Sequence, residues 1–191
     1  MASGASGELL ASRGILLAAD RAAGWSAYDP ASADGEALWM TDAGAPVGLP
    51  VIAGDLLVMA TAEPPALAVL DLPTGRELWR RELASVPRTG PALDGKTIWL
   101  GDERGVHGYD LVTAAASGGW EGAPPVDRLV IAGGRLAWTD ADGRVRVVSP
   151  ATGEVVTSLE GVEPAYAPLQ GERAVLVWQE GGLYRGDLET G

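Results

Sequence analysis

Apolar residues occur along this chain in short runs, several of them alternating with polar ones, as in "RVRVV" at Arg144–Val148. Pairs rich in Gly and Asp separate the runs, and no window sustains the stripe of an amphipathic helix. Short runs bounded by turn residues read as β-strands. Around Pro50–Glu82 the expected strands are Pro50–Ala53, Leu56–Ala60, Leu67–Leu70 and Glu77–Glu82. Gly54-Asp55, Asp94-Gly95 and Gly133-Gly134 stand where the first strand of a unit turns into the second. Gly supplies the positive φ that two-residue hairpins require.

The pattern repeats. "YDPASADGEALW" ends at Trp39, "LDLPTGRELW" at Trp79 and "YDLVTAAASGGW" at Trp120, in steps of 40 and 41 residues. The turn position held by Asp29, Asp71, Asp110, Ser149 and Asp187 recurs at 42, 39, 39 and 38. A second series places Trp99, Trp138 and Trp178 at steps of 39 and 40. Repeats of this period mean a solenoid or a propeller, and about 40 residues carrying four strands make one propeller blade. The expected fold is therefore an all-β propeller of antiparallel four-stranded blades, five repeats of about 39 residues, with the last blade lacking its outer strand. The blades are expected near residues 7–40, 48–83, 90–121, 126–160 and 167–191, after a linker or expression scar at 1–6. Asp or Ser at the turn position is expected to accept a backbone N–H, with Gly75 and Gly153 leaving the turn in the left-handed conformation. The tryptophans are expected to cover seams between blades.

Composition adds exclusions. Net charge is −12, which disfavours nucleic acid, and the longest clean apolar run near the start, Ile15–Ala19, is too short to span a membrane. There is no Cys, so no disulfide and no thiolate ligand.

"LAVLDLPTGRELW" resembles the repeat of the pyrroloquinoline-quinone (PQQ) type β-propellers, whose consensus has Ala-Leu-Asp, then Thr-Gly, then Trp. "VSPATGEV" and "YRGDLETG" are weaker copies, and the third unit is degenerate. The resemblance covers nearly everything after Ser6. It implies a propeller in which the Trp motif docks blades, in enzymes and non-enzymes alike. Non-catalytic members include an outer-membrane assembly lipoprotein and sensor domains of bacterial Ser/Thr kinases. The quinone enzymes of the family typically have eight blades, a vicinal Cys pair and a Ca²⁺ held by Glu, Asn and Asp. This chain has no Cys, no Asn and five units, so neither PQQ nor Ca²⁺ is expected.

The chemistry left to place lies in the turns between second and third strands, which carry Asp20, Glu63, Asp102, Glu103, Asp140, Asp142 and Glu180. They form either an acidic rim attractive to a cation or basic partner, or ordinary turns. Asp140 and Asp142 in "DADG" are weak metal candidates, because "RVRVV" supplies no further calcium-loop ligand. His107 is the only His, with Asp102 and Tyr109 nearby, and makes a weak catalytic pair at best. The loops leading into first strands, "TDAGAPVG", "ASVPRTG", "EGAPPVD" and "GVEPAYA", each contain Pro, which stiffens them for binding. With the acidic turns they make a candidate partner face of Arg88, Tyr166, Asp102, Glu103 and Glu180.

The expected function is a non-catalytic ligand- or protein-binding scaffold, as in the sensor domain of a larger bacterial protein such as a Ser/Thr kinase, or an envelope assembly factor. An extracytoplasmic location is favoured, with no signal peptide in this chain. Two alternatives stand beside it: an enzyme with a funnel active site (a PQQ-dependent dehydrogenase or a metal-dependent hydrolase or lyase), and a trimmed or engineered propeller. The ring is expected either to close on five blades or to belong to a longer propeller.

Overall fold

The computed structural model describes residues 9–20, 24–32, 34–122, 124–140, 142, 144–160, 163–164, 174–179 and 182–187. All regular elements among them are β-strands, grouped in five antiparallel sheets whose strand order follows the chain. The chain divides into two compact units, Met1–Pro91 and Ala92–Gly191.

The first unit holds two four-stranded blades. Strands β1 (Leu9–Ser12), β2 (Ile15–Asp20), β3 (Gly24–Tyr28) and β4 (Ala37–Met40) form one; β5 (Val51–Ala53), β6 (Leu56–Ala62), β7 (Pro65–Asp71) and β8 (Glu77–Glu82) form the other. Five consecutive residues are buried in both β6 and β7, so these middle strands read as continuous apolar runs. Strands covered on both faces have no solvent side to keep polar. The outer strand β8 is mostly polar, with Glu77, Leu78 and Glu82 exposed and Trp79, Arg80 and Arg81 half-buried. Leu17, Trp25, Trp39, Leu57, Met59 and Leu70 make the core of this unit.

The second unit repeats the plan. Its first blade is β9 (Ala92–Asp94), β10 (Thr97–Gly101), β11 (Gly105–Asp110) and β12 (Ala116–Glu121). Its second is β13 (Pro125–Ala132), β14 (Arg135–Asp140), β15 (Arg144–Val148) and β16 (Val155–Glu160). A three-stranded sheet follows: β17 (Glu163–Pro164), β18 (Ala174–Gln179) and β19 (Gly182–Asp187). It holds the first three strand positions of a blade. Trp99, Val106, Leu136, Trp138 and Val148 form the core, with Trp120 packed against it.

Two expectations are corrected here. The hairpin between β9 and β10 is Gly95-Lys96, not Asp94-Gly95, because Asp94 already pairs with Thr97 in the ladder. Three of the four loops leading into first strands are not free contact loops. Pro46 bridges to Thr61, Pro125 pairs with Asp140 and Pro164 with Val177, so each loop continues the ladder along the far half of the second strand. Val47 N–H donates to the Ala60 carbonyl at 2.9 Å in the same way. Proline suits this edge because it has no N–H to leave unpaired on the open side. The fifth sheet accordingly starts at Glu163, inside "GVEPAYA" and ahead of the expected 167.

Each of the four complete blades has a register shift where the third strand meets the outer one: at Ala27/Tyr28, Val69/Leu70, Gly108/Tyr109 and Val147/Val148. A bulge bends an edge strand and re-aims the next side chain. In three of the blades that next residue is Trp39, Trp79 or Gly118, and the degenerate third unit reaches Trp120 two residues further on.

Candidate interaction face and blade-docking turns

The turn at Asp71–Gly75 is built by its own residues. Gly75 N–H donates to the Asp71 carbonyl at 2.8 Å, and Thr74 N–H to the Asp71 carboxylate at 3.1 Å. The Thr74 hydroxyl donates to the same oxygen. Asp110 repeats the arrangement with Thr113 N–H at 2.7 Å, the Thr113 hydroxyl at 2.9 Å and Val112 N–H at 3.0 Å. Those bonds, led by the Thr113 N–H, hold its carboxyl below the ordinary value. Asp29 accepts Ala31 N–H at 2.8 Å, and Ser149 supplies its carbonyl to Gly153 N–H at 2.8 Å. The carboxylate therefore reaches the residue two ahead in one turn, three ahead in another and both in a third.

Gly75 and Gly153 occupy the fifth residue of these turns at φ 69° and 73°. Ala114 stands at the same place in the third blade with φ 58°. An L-residue costs about 1–2 kcal/mol in that region. Ala114→Gly is thus expected to raise stability by roughly 1 kcal/mol, read as a higher urea midpoint.

The tryptophans dock on these turns. Trp39 Nε1 donates to the Leu72 carbonyl of the next blade at 2.8 Å, and its ring lies so close to Gly75 that a Cβ there would meet it at 2.6 Å. Trp120 Nε1 donates to the Gly153 carbonyl of the next blade at 3.0 Å. Its ring lies between Trp99 of its own blade, centroids 5.0 Å apart, and Trp138 of the next, 6.0 Å. Trp99 Nε1 is buried with no partner among the described residues, so that ring contributes packing rather than a hydrogen bond. Trp79 is half-buried. The side chains of Trp178, Asp187 and Asp20, and all of Tyr166 and Glu180, lie outside the described residues. Trp25, which the repeat pattern did not single out, is among the largest fully buried side chains. Its signal was the alternation Trp25, Ala27 in "GWSAY".

The turns between second and third strands share an end of each blade with the loops leading into first strands. Asp102, expected on the partner face, is only 6% exposed. Its Oδ1 accepts Arg104 N–H at 2.8 Å and Gly105 N–H at 3.2 Å and lies 2.9 Å from His107 Nε2; Oδ2 lies 3.3 Å from the Arg104 guanidinium. Asp140 is 3% exposed and similarly engaged. Asp142 N–H and Arg144 N–H each reach Oδ1 at 3.0 Å, and Arg146 Nε reaches Oδ2 at 2.7 Å. Burial pushes the Asp140 carboxyl up, but the Arg144 N–H, the Arg146 guanidinium and the Asp142 N–H together outweigh it and hold it below the ordinary value.

These geometries correct two expectations. Asp102 leaves the partner face, because a buried carboxylate whose oxygens are taken by its own turn has nothing to offer a partner. Asp140 leaves the metal candidates for the same reason. Among the described residues no group of three or more His, Cys, Asp or Glu side chains could hold a metal ion. The sequence signal for both clamps was a nitrogen-bearing side chain five or six residues after the Asp: His107 and Arg146. Exposed side chains remain at this end of the blades, namely Glu63 and Arg88 in the first unit and Glu103, Arg104 and Asp142 in the second. Among the described residues no helix is long and apolar enough to cross a membrane.

The family model described as "Outer membrane protein assembly factor BamB" matches residues 2–116 and again 66–191. A search of curated sequences finds no match. Among solved structures, BamB from Moraxella catarrhalis is similar at TM-score 0.69 and 17% identity, over 95% of this chain and 57% of that one. The computationally designed Ika8 protein gives 0.71 and 15%, over 94% and 57%. Quinohemoprotein alcohol dehydrogenase ADHIIG from Pseudomonas putida HK5 gives 0.72 and 14%, over 96% and 40%. The chain thus spans little more than half the length of the first two and less than half of the third.

Proposed function

This chain belongs to the PQQ-repeat β-propeller family whose model carries the BamB description, and from that premise we propose that it is a non-catalytic protein-binding scaffold. Partners dock on the loop ends of the blades, at Arg88 in the first unit and, separately, at Glu103 in the second. The observation that carries this reading is the engagement of Asp102 and Asp140. Among the described residues the buried carboxylates at this end, Asp102 and Asp140 of the second unit, hold turns together, while Glu103, Arg104 and Asp142 of the same unit are exposed, as is Arg88 in the first. Long exposed charges steer and select partners.

An envelope location and an assembly role are part of the same proposal and are supported by the family description. A quinone with its Ca²⁺ does not fit the residues present. The chain has no Cys and no Asn, and Asp140, the best-placed carboxylate, is fully coordinated by its turn and Arg146.

Two measurements test the proposal. Calorimetric titration with PQQ and Ca²⁺ is expected to give no saturable heat, and tight binding of either would overturn it. Photo-crosslinking residues at Arg88 and Glu103 in bacterial cells are expected to give protein adducts. The same residues at Lys96 and Thr152, on the opposite turns, are expected to give none. Equal labelling at all four positions would remove the loop end as the docking face.

A further inference from the structure

The outermost strands of the two blades in the first unit differ in a way their shared fold does not require. β8 carries Glu77, Arg80, Arg81 and Glu82. Charges of this kind keep an open sheet edge from pairing with another chain. β4 reads Ala-Leu-Trp-Met, with no charge at all. It is last in the order β1-β2-β3-β4, so its outer edge has no strand partner among the described residues. Trp39 turns inward to its docking turn, while Leu38 is 53% and Met40 74% exposed.

Acidic residues frame this bare edge. Asp34 and Glu36 precede it, Asp42 follows, and all three are exposed. Beside Met40 lies an open cleft of 210 Å³ lined by Met40, Asp42, Ala43, Leu70, Glu77 and Arg80. That is below the roughly 300–1,000 Å³ of small-molecule pockets, and is the size to admit a single side chain. Arg80 is already bound to Glu77 at 2.9 Å and to the Ala43 carbonyl at 3.3 Å, whereas the Asp42 carboxylate in the cleft wall has no ion pair among the described residues.

We propose that the β4 edge docks an extended segment of a partner protein in which apolar and basic side chains alternate. The segment's backbone runs along β4, its apolar side chains cover Leu38 and Met40, and its cations meet Glu36 and, in the polar cleft, Asp42. Main-chain bonds along a sheet edge give such recognition its affinity, and the side chains give it specificity. The inference rests on the scaffold reading above and adds a second contact region with its own partner chemistry.

The probe is a nine-residue synthetic peptide alternating lysine and valine, titrated by calorimetry at low salt. Saturable one-to-one binding is expected, weakening at least tenfold with Met40→Lys and with the double variant Glu36→Lys/Asp42→Lys. Val112→Lys, which adds the same charge at a 70% exposed site in the other unit, is expected to leave it unchanged. Alternate N-methylation of the peptide, which removes main-chain donors, is expected to abolish binding. The proposal is overturned by absence of saturable binding, by an unchanged affinity in Met40→Lys, or by equal binding of a glutamate–valine peptide. Because these residues are separate from Arg88 and Glu103, failure here leaves the crosslinking result standing, and failure there leaves this titration interpretable.

Discussion

Gly75→Ala is expected to lower the stability of the first unit by about 3 kcal/mol, whereas Gly153→Ala lowers that of the second by only about 1 kcal/mol. Both glycines sit at nearly the same positive φ, 69° and 73°, so the backbone penalty for an L-residue is common to both. The difference is what a methyl group meets. At Gly75 it would reach ring atoms of Trp39 at 2.6, 2.6 and 2.9 Å, while at Gly153 nothing lies within 4 Å. Trp39 cannot retreat without giving up its 2.8 Å bond to the Leu72 carbonyl and its place in the core. The check is a pair of urea titrations followed by tryptophan fluorescence. Equal shifts in the two variants would mean that the ring is free to move and that the seam is not held as described. Trp39→Phe offers a second reading of the same contact. It keeps an aromatic ring but removes Nε1, and is expected to cost about 1 kcal/mol for the bond plus the lost ring area.

The second large effect concerns Asp140. Asp140→Ala is expected to destabilise by about 3 kcal/mol, the low end for breaking a buried pair, because the Arg146 side chain is 26% exposed and can recover some water. Two turn N–H groups lose their acceptor at the same time. The pH dependence has a definite sign. A carboxyl held below its unfolded value near 3.8 contributes stability that is fully present above that pH. The contribution is lost as pH falls through the depressed folded value. Asp140→Asn is therefore expected to show a shallower fall in stability below about pH 4 than the wild type. The measurement is the urea midpoint at a series of pH values, and superimposable acid limbs would remove Asp140 as a contributor.

The strand plan was largely legible in the repeats, because alternation and turn chemistry are local properties. Glu77–Glu82 was placed to the residue as β8, and Gly54-Asp55 and Gly133-Gly134 are the hairpins they were read as. The slip at Asp94-Gly95 arose because a single Gly serves either neighbouring dipeptide equally well, and only the pairing of Asp94 with Thr97 decides between them. Three of the Pro-containing loops were misread for a different reason. Proline marks a residue that donates no hydrogen bond, but the sequence does not say whether that residue faces solvent or the open side of a ladder. Asp102 and Asp140 show the same limit. An Asp in a turn looks equally available as a metal ligand, a partner contact or a clamp, and only the positions of His107, Arg104 and Arg146 separate these roles.

What the sequence determined by itself was the blade: its length, its four strands, its turns and the spacing of its tryptophans. These depend on interactions within some 40 residues, where the chain's own periodicity dictates which groups meet. What only the tertiary structure decided was the use of each group. The Asp71–Gly75 turn became the seat of a ring from the preceding blade. The acidic turns spent their two buried carboxylates on their own backbone. The uncharged strand β4 became an exposed edge. Each outcome depends on contacts between residues far apart in the chain, whose burial removes water as the competing partner, and burial is a property of the packed molecule.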